Sequence, residues 1–145
     1  MRAETLRIRQ LLEREKGGRH RENDLKYGPG GMLDVYFATR YLQLRHNVPD
    51  DREDRSTSFT LQLLWENELL TEADRDSFAA GYAFVSELDH NIRLVTGRAR
   101  RLPASSESVD LIARRMNLAD PKALLEQLAL HRLGIRRTFE KILLV

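Results

Sequence analysis

Residues 72–95, EADRDSFAAGYAFVSELDHNIRLV, decide the architecture of this chain. Phe78, Tyr82, Val85, Leu88, Ile92 and Val95 recur at steps of four, three, three, four and three, one stripe of a helix with 3.6 residues per turn. Thr71 stands three residues before Asp74, a spacing at which a side-chain oxygen satisfies a free N–H at a helix start. Gly97 follows the last apolar position, where a residue without a Cβ can end a helix without steric cost.

The same period continues outward on both sides. Upstream, Leu61, Leu64 and Trp65, with Leu63 beside them, predict a helix over 59–69, and Leu33, Phe37, Tyr41 and Leu44 predict one over 32–46 closed by Val48-Pro49. The stretch DDREDRSTS (50–58) between them reads as a solvated loop. A first helix over 3–16 offers a narrow stripe, Leu6, Arg9 and Leu12 or Ile8 and Leu11, ending at Gly17-Gly18. Downstream, Val109, Ile112, Ala113 and Met116 predict a short helix over 106–116. Asp120-Pro121 then opens a last helix carrying Leu124, Leu128, Ile135, Phe139 and Ile142, because Asp can cap and Pro at the first position has no N–H to waste. No segment of useful length alternates apolar and polar residues. The expectation is an all-α single domain over residues 1–145, about six helices in antiparallel, bundle-like packing.

Composition agrees. A chain of 145 residues with 41% hydrophobic content is long enough to bury a core and too apolar to be disordered. Charged residues make up 32%, yet the formal net charge is only +2, which argues against a nucleic-acid-binding face. The absence of cysteine excludes disulfides, thiolate catalysis and cysteine-ligated zinc. No apolar stretch approaches the roughly 20 residues that span a bilayer, and the polar start MRAETLRIRQ is not a secretory signal. A soluble protein in the cytoplasm, with no membrane partner, is the expectation.

Few residues are arranged for catalysis. The Asp-x-Asp at Asp74-Arg75-Asp76 sits in a first helical turn, where side chains two apart diverge by about 200° and cannot easily share a metal ion. Acids there are explained by the helix dipole. His20, His46, His90 and His131 are scattered and form no metal-binding pair. Asp89 stands four residues before Arg93, an ordinary helix pairing. The doublets Arg100-Arg101, Arg114-Arg115 and Arg136-Arg137 read as wet helix faces, or as an anion-attracting rim if two of them meet. No catalytic or metal-binding residue is assigned.

The stretch DLKYGPGGMLDVYF, residues 24–37, is different. Three glycines and a proline within residues 28–31 forbid regular structure, and Gly30-Gly31 runs straight into a helix start, where free N–H groups favour anions. It matches neither common phosphate-binding glycine pattern, so on physical grounds a tight connector is preferred to a phosphate cradle.

This stretch also resembles the signature of glutamine synthetase adenylyltransferases, approximately D-[IL]-K-x-G-x-G-G-[IL]-x-[DE]-I-E-F. Asp24, Leu25, Lys26, Gly28, Gly30, Gly31, Asp34 and Phe37 match it in order, while Tyr36 stands where the family has Glu. The likeness continues through YLQLRH (41–46), AGYAFVSELDH (80–90), RLP (101–103) and IRRTFEKILL (135–144), and so covers essentially the whole chain. The family's catalytic nucleotidyltransferase domain has no counterpart here. The resemblance therefore implies the helical domain that follows it, of the uridylyltransferase/adenylyltransferase type, inactive alone. That domain would support AMP transfer to, or removal from, glutamine synthetase, with ATP and Mg²⁺ used by the full enzyme and no cofactor held here. Its implied partners are the adjacent nucleotidyltransferase domain and glutamine synthetase or a PII-type signalling protein. Lys26, Gly28, Gly30 and Gly31 would face the active cleft, and Asp34 would fix the turn by capping it or pairing with Lys26. The alternatives are a stand-alone helical interaction module using the arginine rim and a nucleic-acid binder. The length of the native reading frame separates the first from the domain reading.

Overall fold

A computed structural model describes residues 1–17, 23–49, 56–98 and 100–144. Among these residues six helices follow in chain order: α1 (Arg2–Gly17), α2 (Met32–Arg45), α3 (Thr57–Glu66), α4 (Glu72–Thr96), α5 (Ser106–Arg115) and α6 (Pro121–Leu143). Among the described residues the nearest thing to a sheet is a single antiparallel bridge between Asp24 and Arg101. The chain is all-α, as expected. Gly18, His20 and residues 50–55 of the expected loop lie outside the described residues.

The helix starts follow from their caps. Thr71 accepts from Asp74 N at 3.1 Å, Asp120 from Ala123 N at 2.8 Å and Ser56 from Phe59 N at 3.2 Å. Pro121 occupies the first turn of α6. The ends are less obvious. Gly97 closes α4 in the left-handed region at φ 75°, but α2, α3 and α5 close on non-glycines, Asn47 (φ 53°), Glu68 (φ 59°) and Asn117 (φ 59°). In each of these three the next amide reaches back to a carbonyl five residues earlier: Val48 to Gln43, Leu69 to Leu64, Leu118 to Ala113. This closure ends α3 at Glu66, three residues before Leu69, where the expected helix ended.

The centre is the antiparallel pair α4 and α6, packed closely because two glycines face the partner helix. A Cβ on Gly81 would lie 2.7 Å from Ile135 Cγ1, and one on Gly134 would lie 2.9 Å from Ser77 Oγ. Phe78, Val85, Leu88, Ile92, Leu124, Ile135 and Phe139 are fully buried there, while Tyr82 and Val95 of the α4 stripe are half-buried. Helices α2, α3 and α5 complete the core, and α1 lies across α2 and α6.

The expected face of α2 needs correction. Leu44 is 52% exposed and Leu33 and Phe37 are half-buried, whereas Asp34, Val35, Ala38, Thr39, Tyr41, Leu42 and Gln43 are buried. Helix α2 touches α1, α3, α4 and α6, so it is enclosed on several sides and has no single apolar stripe. Of its buried polar groups, Thr39 donates to Val35 O at 2.9 Å and Asp34 forms ion pairs. In α1 the buried member of the stripe is Arg9, not a leucine, and Ile8 is 37% exposed.

Candidate functional site

The glycine turn is built from the inside by two buried aspartates, one at each end. Asp24 Oδ1 accepts from Lys26 N at 3.0 Å and Tyr27 N at 2.9 Å, and its carbonyl accepts from Gly28 N at 3.1 Å. At the other end Asp34 Oδ2 accepts from Gly30 N at 2.7 Å. Gly31 N donates to Gly28 O, Met32 N to Leu25 O and Leu33 N to Lys26 O. The amides at the start of α2 are therefore engaged within the protein. The arrangement is the tight connector, with no free cradle of N–H groups for an anion.

Glycine is required at two positions by close approach. Gly30 has φ 73°, and a Cβ there would sit 2.3 Å from Arg132 O of α6. A Cβ on Gly31 would sit 2.5 Å from Leu25 O. The turn is pressed against α6, and Arg132 Nε donates to Pro29 O at 3.0 Å.

Arginines from distant parts of the chain hold the two carboxylates. Arg9 of α1 donates from Nε to Asp34 Oδ1 at 2.8 Å and from Nη2 to Gly28 O at 3.0 Å, and neither the Arg9 nor the Asp34 side chain is exposed. Arg136 of α6 reaches Asp34 Oδ2 at 3.1 Å and Glu13 at 3.5 Å. Burial opposes the charge on Arg136, but Asp34, Glu13 and Glu140 outweigh it and raise its pKa above the ordinary guanidinium value. At the first end, Arg100 Nε and Arg101 Nη2 lie 3.4 and 3.5 Å from Asp24 Oδ2, too long and oblique for hydrogen bonds but close enough for ion pairing. Arg101 Nη2 also donates to Gly17 O at 3.0 Å, tying in the end of α1.

Of the sequence-derived site residues, Gly28, Gly30 and Asp34 meet through Arg9, and Gly31 lies buried beside them. Lys26 does not join them. Its side chain is exposed, with Nζ 5.3 Å over the Tyr27 ring, and Asp34 pairs with Arg9 and Arg136 instead. Asp34 fixes the turn by accepting from Gly30 N, with no side-chain hydrogen bond at the N-cap Gly31, and it does not pair with Lys26. Tyr36, at the family's Glu position, is 56% exposed with its ring edge against Phe37.

The doublets form neither a single rim nor purely wet faces. Arg114 pairs with Asp110 at 2.8 Å, Arg115 donates to Asn91 Oδ1 at 3.0 Å, and Arg136 belongs to the Asp34 network. Asp74 pairs with Lys141 at 3.0 Å and Asp76 with Arg75 at 2.9 Å, so the Asp-x-Asp carboxylates are engaged separately. Asp89 pairs with Arg93 at 3.2 Å as the spacing suggested, and its other oxygen accepts from Arg100 N. His46 and His90 are exposed and apart, and His131 stacks on Phe84 at 4.7 Å. Among the described residues no three His, Asp or Glu side chains converge as metal ligands. These residues do not fit a Mg²⁺ ion, which needs a convergent oxygen set. Nor, among them, is any helix long and apolar enough to cross a membrane.

The residues that sequence reasoning missed are Arg9, Arg132 and the engaged members of the doublets. Arg9 alone left a signal, an arginine in register with Leu6 and Leu12 on an otherwise apolar stripe.

The chain is similar to long bacterial enzymes. It is 32% identical over 136 residues to the bifunctional glutamine synthetase adenylyltransferase/adenylyl-removing enzyme of Nitrosomonas eutropha, covering 92% of this chain and 15% of that protein. The like-named protein of Aromatoleum aromaticum is 32% identical over 133 residues (90% and 14%), and that of Streptomyces avermitilis 33% over 125 residues (83% and 12%). The chain thus spans a small part of the relatives it matches. The family model described as GlnD PII-uridylyltransferase matches residues 4–143, which include the aspartate-bracketed turn and the arginines that hold it, and the chain belongs to that family.

Proposed function

We propose that this chain is the helical domain of a glutamine synthetase adenylyltransferase, supporting AMP transfer to or removal from glutamine synthetase without performing the chemistry. The observation that carries the reading is the match of nearly the whole chain to one region of proteins named for both activities. Two features are consistent with it. The carboxylates of the turn are held inside by arginines, so the turn is a rigid structural element. The Asp-x-Asp pair is divided between two cations.

In this reading the turn's buried residues, Gly28, Gly30, Gly31 and Asp34, keep its shape against α6, and exposed Lys26 is the member that meets the neighbouring nucleotidyltransferase domain. ATP and Mg²⁺ belong to that domain. The assembly works in the cytoplasm and positions glutamine synthetase or a PII-type protein. The test is an AMP-transfer assay with labelled ATP and glutamine synthetase. The isolated chain transfers no label, while a full-length enzyme carrying Lys26→Glu loses transfer or partner binding. Label transferred by the isolated chain overturns the reading, and an unaffected Lys26→Glu enzyme removes Lys26 from the interface.

A further inference from the structure

The segment after α4 has an excess of cations that the fold does not neutralise. Thr96, Arg98, Arg100, Arg101, Leu102 and Pro103 line a cleft of about 600 Å³, within the size range of small-ligand sites. Arg100 is held there in the left-handed region at φ 65°, which a side-chain-bearing residue rarely adopts. Its amide donates to Asp89, its carbonyl accepts from Leu25 N at 2.6 Å, and its guanidinium lies 4.9 Å over the Tyr27 ring. Lys26 Nζ lies 5.3 Å over the same ring, so Lys26 shares Tyr27 with Arg100 without itself lining the cleft. Among the described residues Asp24 is the one carboxylate that pairs with the Arg100 and Arg101 guanidiniums, at 3.4 and 3.5 Å, and each of these side chains remains about two-fifths exposed. Arg98 and Lys26 are exposed, and no acid pairs with either among the described residues.

We propose that this cleft binds the phosphate chain of a small phosphorylated molecule. Arg100 and Arg101, pre-set by Asp24 and by the strained backbone, supply planar donors that match phosphate oxygens, and Arg98 and Lys26 add charge at the mouth. Leu102 and Pro103 form an apolar wall for the rest of the ligand. A net charge of +2 leaves no basic track for a duplex. A half-open recess of this size also suits a small ligand better than the surface of an acidic protein.

The test is an NMR-followed titration of the 145-residue chain, at low ionic strength, with inorganic tripolyphosphate and separately with ATP. Shifts are expected to concentrate at residues 24–27 and 96–102. The double variant Lys26→Ala/Arg98→Ala weakens binding by roughly tenfold or more, the scale of losing charged hydrogen bonds. Its thermal midpoint stays at the parent value, since neither side chain holds an acidic partner. Equal affinity for the two ligands assigns recognition to the phosphates alone, and tighter ATP binding assigns a share to Leu102 and Pro103. Absent or scattered shifts at millimolar ligand, undiminished affinity in the double variant, or tighter binding of poly-glutamate or duplex DNA each overturn the proposal. The readout is binding by this chain alone, so its failure is separate from failure of the AMP-transfer reading.

Discussion

Arg9 and Asp34, 25 residues apart in sequence, form a 2.8 Å ion pair from which solvent is fully excluded. Asp34 also receives Arg136 and the Gly30 amide, so one carboxylate compensates two guanidiniums and fixes a turn. Removing one member of a buried pair leaves the other charged and desolvated. Asp34→Ala is expected to cost about 3–5 kcal/mol, read as a lowered urea midpoint. Arg136→Ala costs less, because 24% of that side chain is exposed and water shares its charge. Equal effects for the two substitutions would show that Asp34 is not the hub.

Gly30 and Gly97 have nearly the same backbone conformation, φ 73° and 75°, in opposite surroundings. A methyl group on Gly97 meets nothing within 4 Å, so Gly97→Ala pays only the left-handed penalty, about 1–2 kcal/mol. Gly30→Ala adds a clash with the Arg132 backbone and should lose roughly 2 kcal/mol more by overpacking. Denaturant melts of the two variants side by side decide this, and matching midpoints would refute the packing account.

Gly81 and Ile135 should be energetically coupled. Alanine at Gly81 gains about 1 kcal/mol of helix propensity but drives its methyl into Ile135, at an overpacking cost of about 1–3 kcal/mol. Ile135→Ala alone opens a cavity worth about 2–5 kcal/mol. The double variant should be more stable than the sum of the single losses by about 1 kcal/mol, and additivity would mean the helices simply move apart.

His131 carries a pH signature. Burial, with the ring stacked on Phe84, depresses its pKa below the ordinary imidazole value of 6.5. The folded state thus disfavours the protonated ring, while the unfolded chain takes up the proton near 6.5. The contribution of neutral His131 is intact above that pH and is lost as pH falls toward the depressed folded value. The thermal midpoint should fall between pH 7 and 5 more in the parent than in His131→Phe, and parallel curves would exclude the histidine.

What was readable in the sequence was whatever depends on neighbours along the chain. The α4 stripe, the caps at Thr71 and Asp120 and the stop at Gly97 all involve residues within one or two turns. The closures at Asn47, Glu68 and Asn117 escaped, because a left-handed non-glycine leaves no compositional mark. The α2 face escaped because a helix enclosed on several sides shows no period in its apolar residues. The site was legible as a place but not as a mechanism. The turn was located, but its aspartates are held by arginines from as far away as position 136, and sequence spacing cannot show which cations reach a buried carboxylate. Lys26, a cation of the turn itself, was the pairing offered for Asp34, whose partners are Arg9 and Arg136 instead.

The carboxylate of Asp34 has a further consequence for the order in which the chain is assembled. Its ligands come from positions 9, 30 and 136, so the turn in the middle reaches its final state only when the first and last helices have both arrived. Such a turn cannot nucleate folding from local sequence. It is expected to close late, as a lock, after α4 and α6 have paired. Cutting back either flank should therefore do its damage far from the cut, in the loosened turn, where amide exchange would speed up while the α4 core stayed protected.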